Sequence, residues 1–158
     1  MTTYPNDLWL SNSPAPTSES HFKLSEFANE DGLAMLYPDV LTAAELLRAD
    51  LAIIARAPVA IRITDSIRSR SDNYRLARKL GWIDQGGAVS PDSRHLTEYG
   101  GIAIDFVAYL TKTGEPIPQS IVGPIASRHF DYVKADYPDG HTHADQRLRG
   151  RAAARLYP

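Results

Sequence analysis

Apolar residues recur at helical spacing over residues 38–57, PDVLTAAELLRADLAIIARA, where Val40, Leu41, Ala44, Leu47, Leu51 and Ile54 fall on one face. That spacing predicts a helix whose apolar face goes to the core, ended by Pro58. VAIRITD (59–65) alternates as a strand, with Ala60 and its neighbours half buried. SRSDNYRLARKLGW (69–82) opens on a Ser or Asp cap, continues as a short helix and stops at Gly81. IDQGGAVSPDS (83–93) reads as a loop, GIAIDFVAYL (101–110) as a second strand and TKTGEPIPQ as a turn. A further helix is expected over IASRHFDYVKADY (125–137), and GHTHADQR (140–147) alternates as a strand. Near the start, KLSEF (23–27) predicts a helical turn with Ser25 as N-cap. Helices mixed with short, non-consecutive strands imply an α+β fold, a small antiparallel sheet flanked by helices.

The chain has 158 residues, enough for one domain to bury a core without covalent staples. Residues 1–20 contain SNSPAPTSES and read as a flexible N-terminal arm, which leaves 21–158 as a single domain. A net charge of −2 makes no case for nucleic acid or an anionic membrane as partner. The basic RLRGRAAAR segment reads as a solvated helix end or tail. MTTYPNDLWL lacks the basic and apolar regions of a secretory signal, and no run of eighteen apolar residues is present to insert in a membrane. The expectation is a monomer that stays cytoplasmic until it is released or carried on a virion. The absence of cysteine excludes disulfides, thiolate metal sites and cysteine nucleophiles, so any metal must be held by His, Asp or Glu.

Strand alternation then sorts the polar residues. Along GGIAIDF, Ile102, Ile104 and Phe106 form one face, while Gly101, Ala103 and Asp105 form the other. Along GHTHAD the same period puts His141, His143 and Asp145 on one face. With His95, these residues supply an oxygen and nitrogen donor set of two histidines and a carboxylate, the type that leaves a fourth position open on a catalytic zinc. Other conspicuous residues have plainer readings. His21 and His129 carry no motif, Trp82 reads as a core or rim aromatic, Tyr99 as loop packing, and Glu26 as a cap on its own turn.

Four segments, in order, carry a resemblance. SRHLTEYGGIAID (93–105) resembles the Ser-x-His-x-x-Gly-x-Ala-x-Asp signature of the peptidase M15 family, zinc D-Ala-D-Ala carboxypeptidases and related endopeptidases, whose wider group includes lysostaphin-type enzymes and the hedgehog fold. HFKLSEFANEDG (21–32), VAIRITDSIRSRSDN (59–73) and HTHADQR (141–147) are similar to other segments of the same family, in its bacteriophage and bacterial cell-wall branch. The resemblance implies a hedgehog or D-Ala-D-Ala-peptidase-like fold and a Zn2+ cofactor on His95, Asp105 and His143. It also implies hydrolysis of peptide bonds in peptidoglycan stem peptides or crosslinks. Arg68 would hold substrate, Ser93 would stand beside the first ligand, and His141 would line the site to bind substrate or steady the transition state. Arginine suits that role because its planar fork grips a carboxylate or oxyanion with two prongs.

Two departures accompany the resemblance. HLTEYGG holds three more residues between the histidine and the glycine than the signature does, and TDSIRS stands where Ser-Gly-Tyr-Arg-Ser is expected, leaving Asp65 and Ser66 without a role. A general base should precede the third ligand. The candidates are Asp136 and Asp139, with Asp139 favoured, although YPDGH also makes an ordinary turn. Asp145 can instead orient a ligand imidazole. The competing expectation is a non-catalytic metal-binding or virion module that keeps the fold.

Overall fold

A computed structural model describes residues 20–148. The arm expected at the N-terminus, apart from Ser20, and the basic segment from residue 149 onward lie outside the described residues. Three helices, α1 (Pro38–Ala55), α2 (Arg70–Leu80) and α3 (Gln119–Ala126), accompany four strands, β1 (Val59–Asp65), β2 (Ala103–Leu110), β3 (Tyr132–Lys134) and β4 (Thr142–Asp145). The strands form one antiparallel sheet in the order β1-β2-β4-β3, so the chain is α+β with a small antiparallel sheet, as its pattern predicts.

The sheet has two unlike faces. Val59 and Ile61 of β1, Ile104, Phe106 and Ala108 of β2 and Ala144 of β4 join α1 and α3 in the core. The opposite face carries Asp105, His143 and Asp145, all buried. Helix α1 supplies Val40, Leu41, Ala44, Leu47 and Leu51 to the core, but Ile54 is half exposed, so the expected apolar stripe stops one turn early. The reason is the helix end. Arg56 takes left-handed backbone two residues before Pro58 and closes the last turn, where Ile53 and Ile54 are both exposed. No helix among the described residues is long and apolar enough to cross a membrane.

Local chemistry accounts for the other boundaries. Ser69 caps α2 by accepting from the Asp72 amide at 3.1 Å, and Gly81 ends it. The first turn is a 3₁₀ turn over Leu24–Phe27 with Lys23, not Ser25, at the N-cap, and Glu26 reaches back to the Lys23 amide at 2.7 Å. The helix expected over 125–137 is a correction: α3 spans Gln119–Ala126, and Tyr132–Lys134 pair with β4 instead. Tyr132, Val133 and Lys134 alternate in exposure, and the sheet edge they complete outweighs their helical spacing.

The segment between His95 and β2 closes in one turn. Thr97–Tyr99 form a 3₁₀ turn, and Gly100 and Gly101 follow with φ of 76° and 78°. Gly101 lies against the chain before α1, where its carbonyl accepts the Tyr37 amide at 3.0 Å. A Cβ on Gly101 would sit 2.2 Å from the Met35 carbonyl oxygen, whereas one on Gly100 meets nothing. Gly101→Ala is therefore expected to cost about 2–4 kcal/mol and Gly100→Ala about 1 kcal/mol. Urea unfolding midpoints of the two variants check this ordering.

Candidate metal centre

Two segments and two strands bring the donors together. The Arg68 amide donates to the His95 carbonyl at 2.7 Å and the Thr97 amide to the Arg68 carbonyl at 3.0 Å, which zips 66–68 against 95–97. Leu96, 1% exposed, anchors that zipper, and the Ser93 hydroxyl accepts the His95 amide at 3.3 Å. Asp105 comes from β2 and His143 from β4, and they are direct cross-strand partners. Sheet register thus delivers two donors and the zipper the third.

His95 Nε2, Asp105 Oδ1 and His143 Nδ1 form a triangle with edges of 3.1, 3.0 and 2.9 Å. Tetrahedral ligands about 2.0–2.1 Å from an ion are about 3.3 Å apart. The donor chemistry fits as well as the spacing. His95 Nδ1 donates to the Ser66 carbonyl at 2.5 Å, which leaves Nε2 a lone pair. His143 Nε2 donates to Asp145 Oδ2 at 2.9 Å, which leaves Nδ1 a lone pair. Three lone pairs therefore aim at one point, an arrangement that needs a cation. The buried His95, Asp105 and His143 can hold a metal ion.

Charge in the surroundings alternates in sign. Asp145 is fully buried and gripped by Arg147, Nε to Oδ1 at 2.9 Å and Nη2 to Oδ2 at 2.8 Å, while that guanidinium lies 3.5 Å from the centre of the Tyr132 ring. Burial would raise the Asp105 carboxyl, but His95 and His143 hold it far below the usual carboxylate range. Burial likewise works against a charged His143, yet hydrogen bonds with Asp105 and Asp145 push it up to about 9. Asp145 is held low against its burial by His143 and Arg147. Without metal, a proton on His143 thus supplies the cation that the triangle requires.

Around this centre the structure gathers some of the expected residues and leaves others apart. Arg68 Nη2 and His141 Nε2 each lie 3.8 Å from Asp105 Oδ2. His141 Nδ1 meets Asp139 Oδ1 at 2.5 Å, and its ring stacks on Tyr137 at 4.0 Å. Asp139 is largely exposed and reaches the centre only through His141. Asp136 is more exposed still and lies beside Lys134 at 3.9 Å. Asp65 takes Arg68 Nε at 2.7 Å, and Asn73 takes Nη1 at 3.0 Å. Tyr132, Tyr137, Asn73 and Arg147 were not legible as site residues, since no motif marks them. Burial, then the Asp105 charge, pushes the Tyr137 hydroxyl up to about 12, so it remains protonated as a donor.

Two outcomes follow from the shared proton and metal position. Metal must displace the His143 proton, so apparent affinity should rise about tenfold per pH unit from pH 6 to 8, read by chelator competition. The raised His143 value makes its contribution to metal-free stability full below the ordinary 6.5, and that contribution is lost as pH rises through about 9. Thermal midpoints of the metal-free chain should fall across that window, and those of the loaded chain should not. Removing the imidazole's support by Asp145→Asn should weaken metal binding about 10–100-fold in the same competition assay. No family model matches the chain, and no curated protein or solved structure matches it.

Proposed function

We propose that the chain is a zinc-dependent peptidase acting on peptidoglycan stem peptides or crosslinks. The observation that carries the reading is the convergence of two imidazole lone pairs and one carboxylate on a single point, with the Arg68 and His141 side chains beside it. Two histidines and one carboxylate are a donor set that suits catalytic zinc and leaves a position open. The substrate class comes from the four-segment resemblance. A bound zinc ion supplies Lewis acidity toward a scissile carbonyl and a water acidified toward neutral pH.

The remaining roles belong to the chain's own residues. Asp65 and Asn73 occupy Nε and Nη1 of Arg68, which turns Nη2 toward the centre as the group that binds a substrate carboxylate or carbonyl oxygen. Asp139 fixes the His141 ring through Nδ1, so Nε2 is the atom presented to substrate. His141 then moves the proton between the attacking side and the leaving amine, and Asp139 positions it rather than acting as the base itself. Tyr137, stacked on the same ring and protonated, adds a donor. Ser93 supports the His95 backbone, and Asp136 lies beside Lys134 rather than against His141.

Zinc analysis of the purified chain and mass spectrometry of digested cell walls test the reading together. About one zinc per chain and release of peptide fragments are expected, with both lost in His143→Ala. His141→Ala should keep its zinc and lose about 10²–10⁴-fold in kcat. Asp139→Asn should lose less, and the double variant no more than His141→Ala, because the two act as one unit. Zinc retained with no cleavage of any wall preparation would instead identify a non-catalytic metal-binding module.

A further inference from the structure

Beside the metal centre, α2 and the 81–91 segment enclose a groove of about 410 Å³ that the peptidase chemistry does not use. Trp82, Leu96 and Pro91 supply its apolar lining. Tyr74 is 54% exposed, and its ring lies 6.1 Å from that of Trp82, tilted by 51°. Two aromatic faces set at an angle in a water-facing groove form a platform for a flat ligand.

The polar lining narrows the ligand class. Among the described residues Arg70 is the one charged residue lining the groove, and Glu98 already holds it, Oε1 at 2.5 Å and Oε2 at 3.2 Å. An anionic ligand therefore finds no uncompensated positive charge. The Arg70–Glu98 pair is largely exposed, so a plain hydrocarbon lying over it would strip its water and return no hydrogen bond, which costs free energy. The remaining fit is an uncharged ring with an apolar face and hydroxyl or amide groups at its edge. The groove is of a size for such a small ligand and too small for a lipid.

The groove also shares a wall with the centre. Asn73 lines it and accepts Arg68 Nη1 at 3.0 Å, and Leu96 directly follows the ligand His95. We propose that the groove is a sugar subsite that takes an N-acetylated hexosamine ring of a glycan strand, an assignment whose ligand class rests on the peptidoglycan reading. Substrate carrying both glycan and stem peptide would then lie across α2, with sugar on Trp82 and Tyr74 and peptide toward Arg68.

The test uses the full chain carrying Trp9→Phe, which leaves Trp82 as its single indole. N-acetylglucosamine tetramer is titrated in EDTA, in parallel with a stem tetrapeptide that lacks sugar. The tetramer should give a saturable change in Trp82 emission, and Tyr74→Ala should weaken it about fivefold with an unchanged circular dichroism spectrum. No saturable response to the tetramer, or a response to the tetrapeptide alone, overturns the proposal. Since the titration contains no metal, sugar binding by a chain that cleaves no wall removes only the peptidase reading. Cleavage without sugar binding removes only the subsite.

Discussion

The pairing of Asp105 with His143 across β2 and β4 is the constraint on which the candidate metal centre depends. Side chains on a strand alternate with a period of two, so a slip of one residue would turn either donor into the core and bring an apolar residue to the centre. Ile104, Phe106 and Ala144 prevent that slip because they fill the opposite face against α1 and α3. Each large apolar side chain so buried contributes about 1.5–3 kcal/mol, which a slipped register would lose while burying a carboxylate. The same hydrophobic face that holds the fold together therefore aims the donors. His95 enters independently, through backbone hydrogen bonds between 66–68 and 95–97.

Burying several charges in one small site costs free energy unless each has a partner of opposite sign. Here the groups alternate. Arg68 faces Asp105, the metal or the His143 proton lies next, then Asp145, then Arg147. A bulge in β1 between Ile63 and Asp65 sets Asp65 opposite Asp105, and Arg68 lies between those two carboxylates. Two neutral imidazoles and one carboxylate would leave a bound dication with net positive charge. Asp145 strengthens His143 as a donor without touching the ion site itself.

What the sequence made legible follows from periodicity. Alternation alone put Asp105 opposite the Ile102 and Ile104 face and put His143 with Asp145, because both rules act within one strand. The Glu26 cap and the Gly81 stop were legible for the same local reason. Tyr132 and Tyr137 were not, since their roles depend on which strand lies next to β4, and 125–137 reads as helix until that edge is paired. Asp65 and Ser66 had no role in the linear motif. The bulge and the Ser66 carbonyl that holds His95 appear only when distant segments meet. Gly101 belongs to a turn rather than to the strand expected over 101–110, because its left-handed backbone lies against Met35.

Asn73 shows how the centre and the neighbouring groove are mechanically one unit. It is 2% exposed on α2, where its Oδ1 accepts Arg68 Nη1 and its Nδ2 donates to the Ser90 carbonyl, both at 3.0 Å. One side chain thus sets the direction of the arginine that faces the metal site and tethers the 81–91 segment that walls the groove. A hydrophobic replacement would leave the Ser90 carbonyl and one arginine nitrogen unpaired at once, so neither neighbour can be altered alone. Ser69 starts α2 one residue after Arg68, which leaves little slack between them. The distance from the groove to the candidate metal site is consequently set by the first turn of a capped helix rather than by a loop. Helix-borne groups keep their spacing better than loop-borne ones, so the groove and the candidate metal site stay in fixed relation.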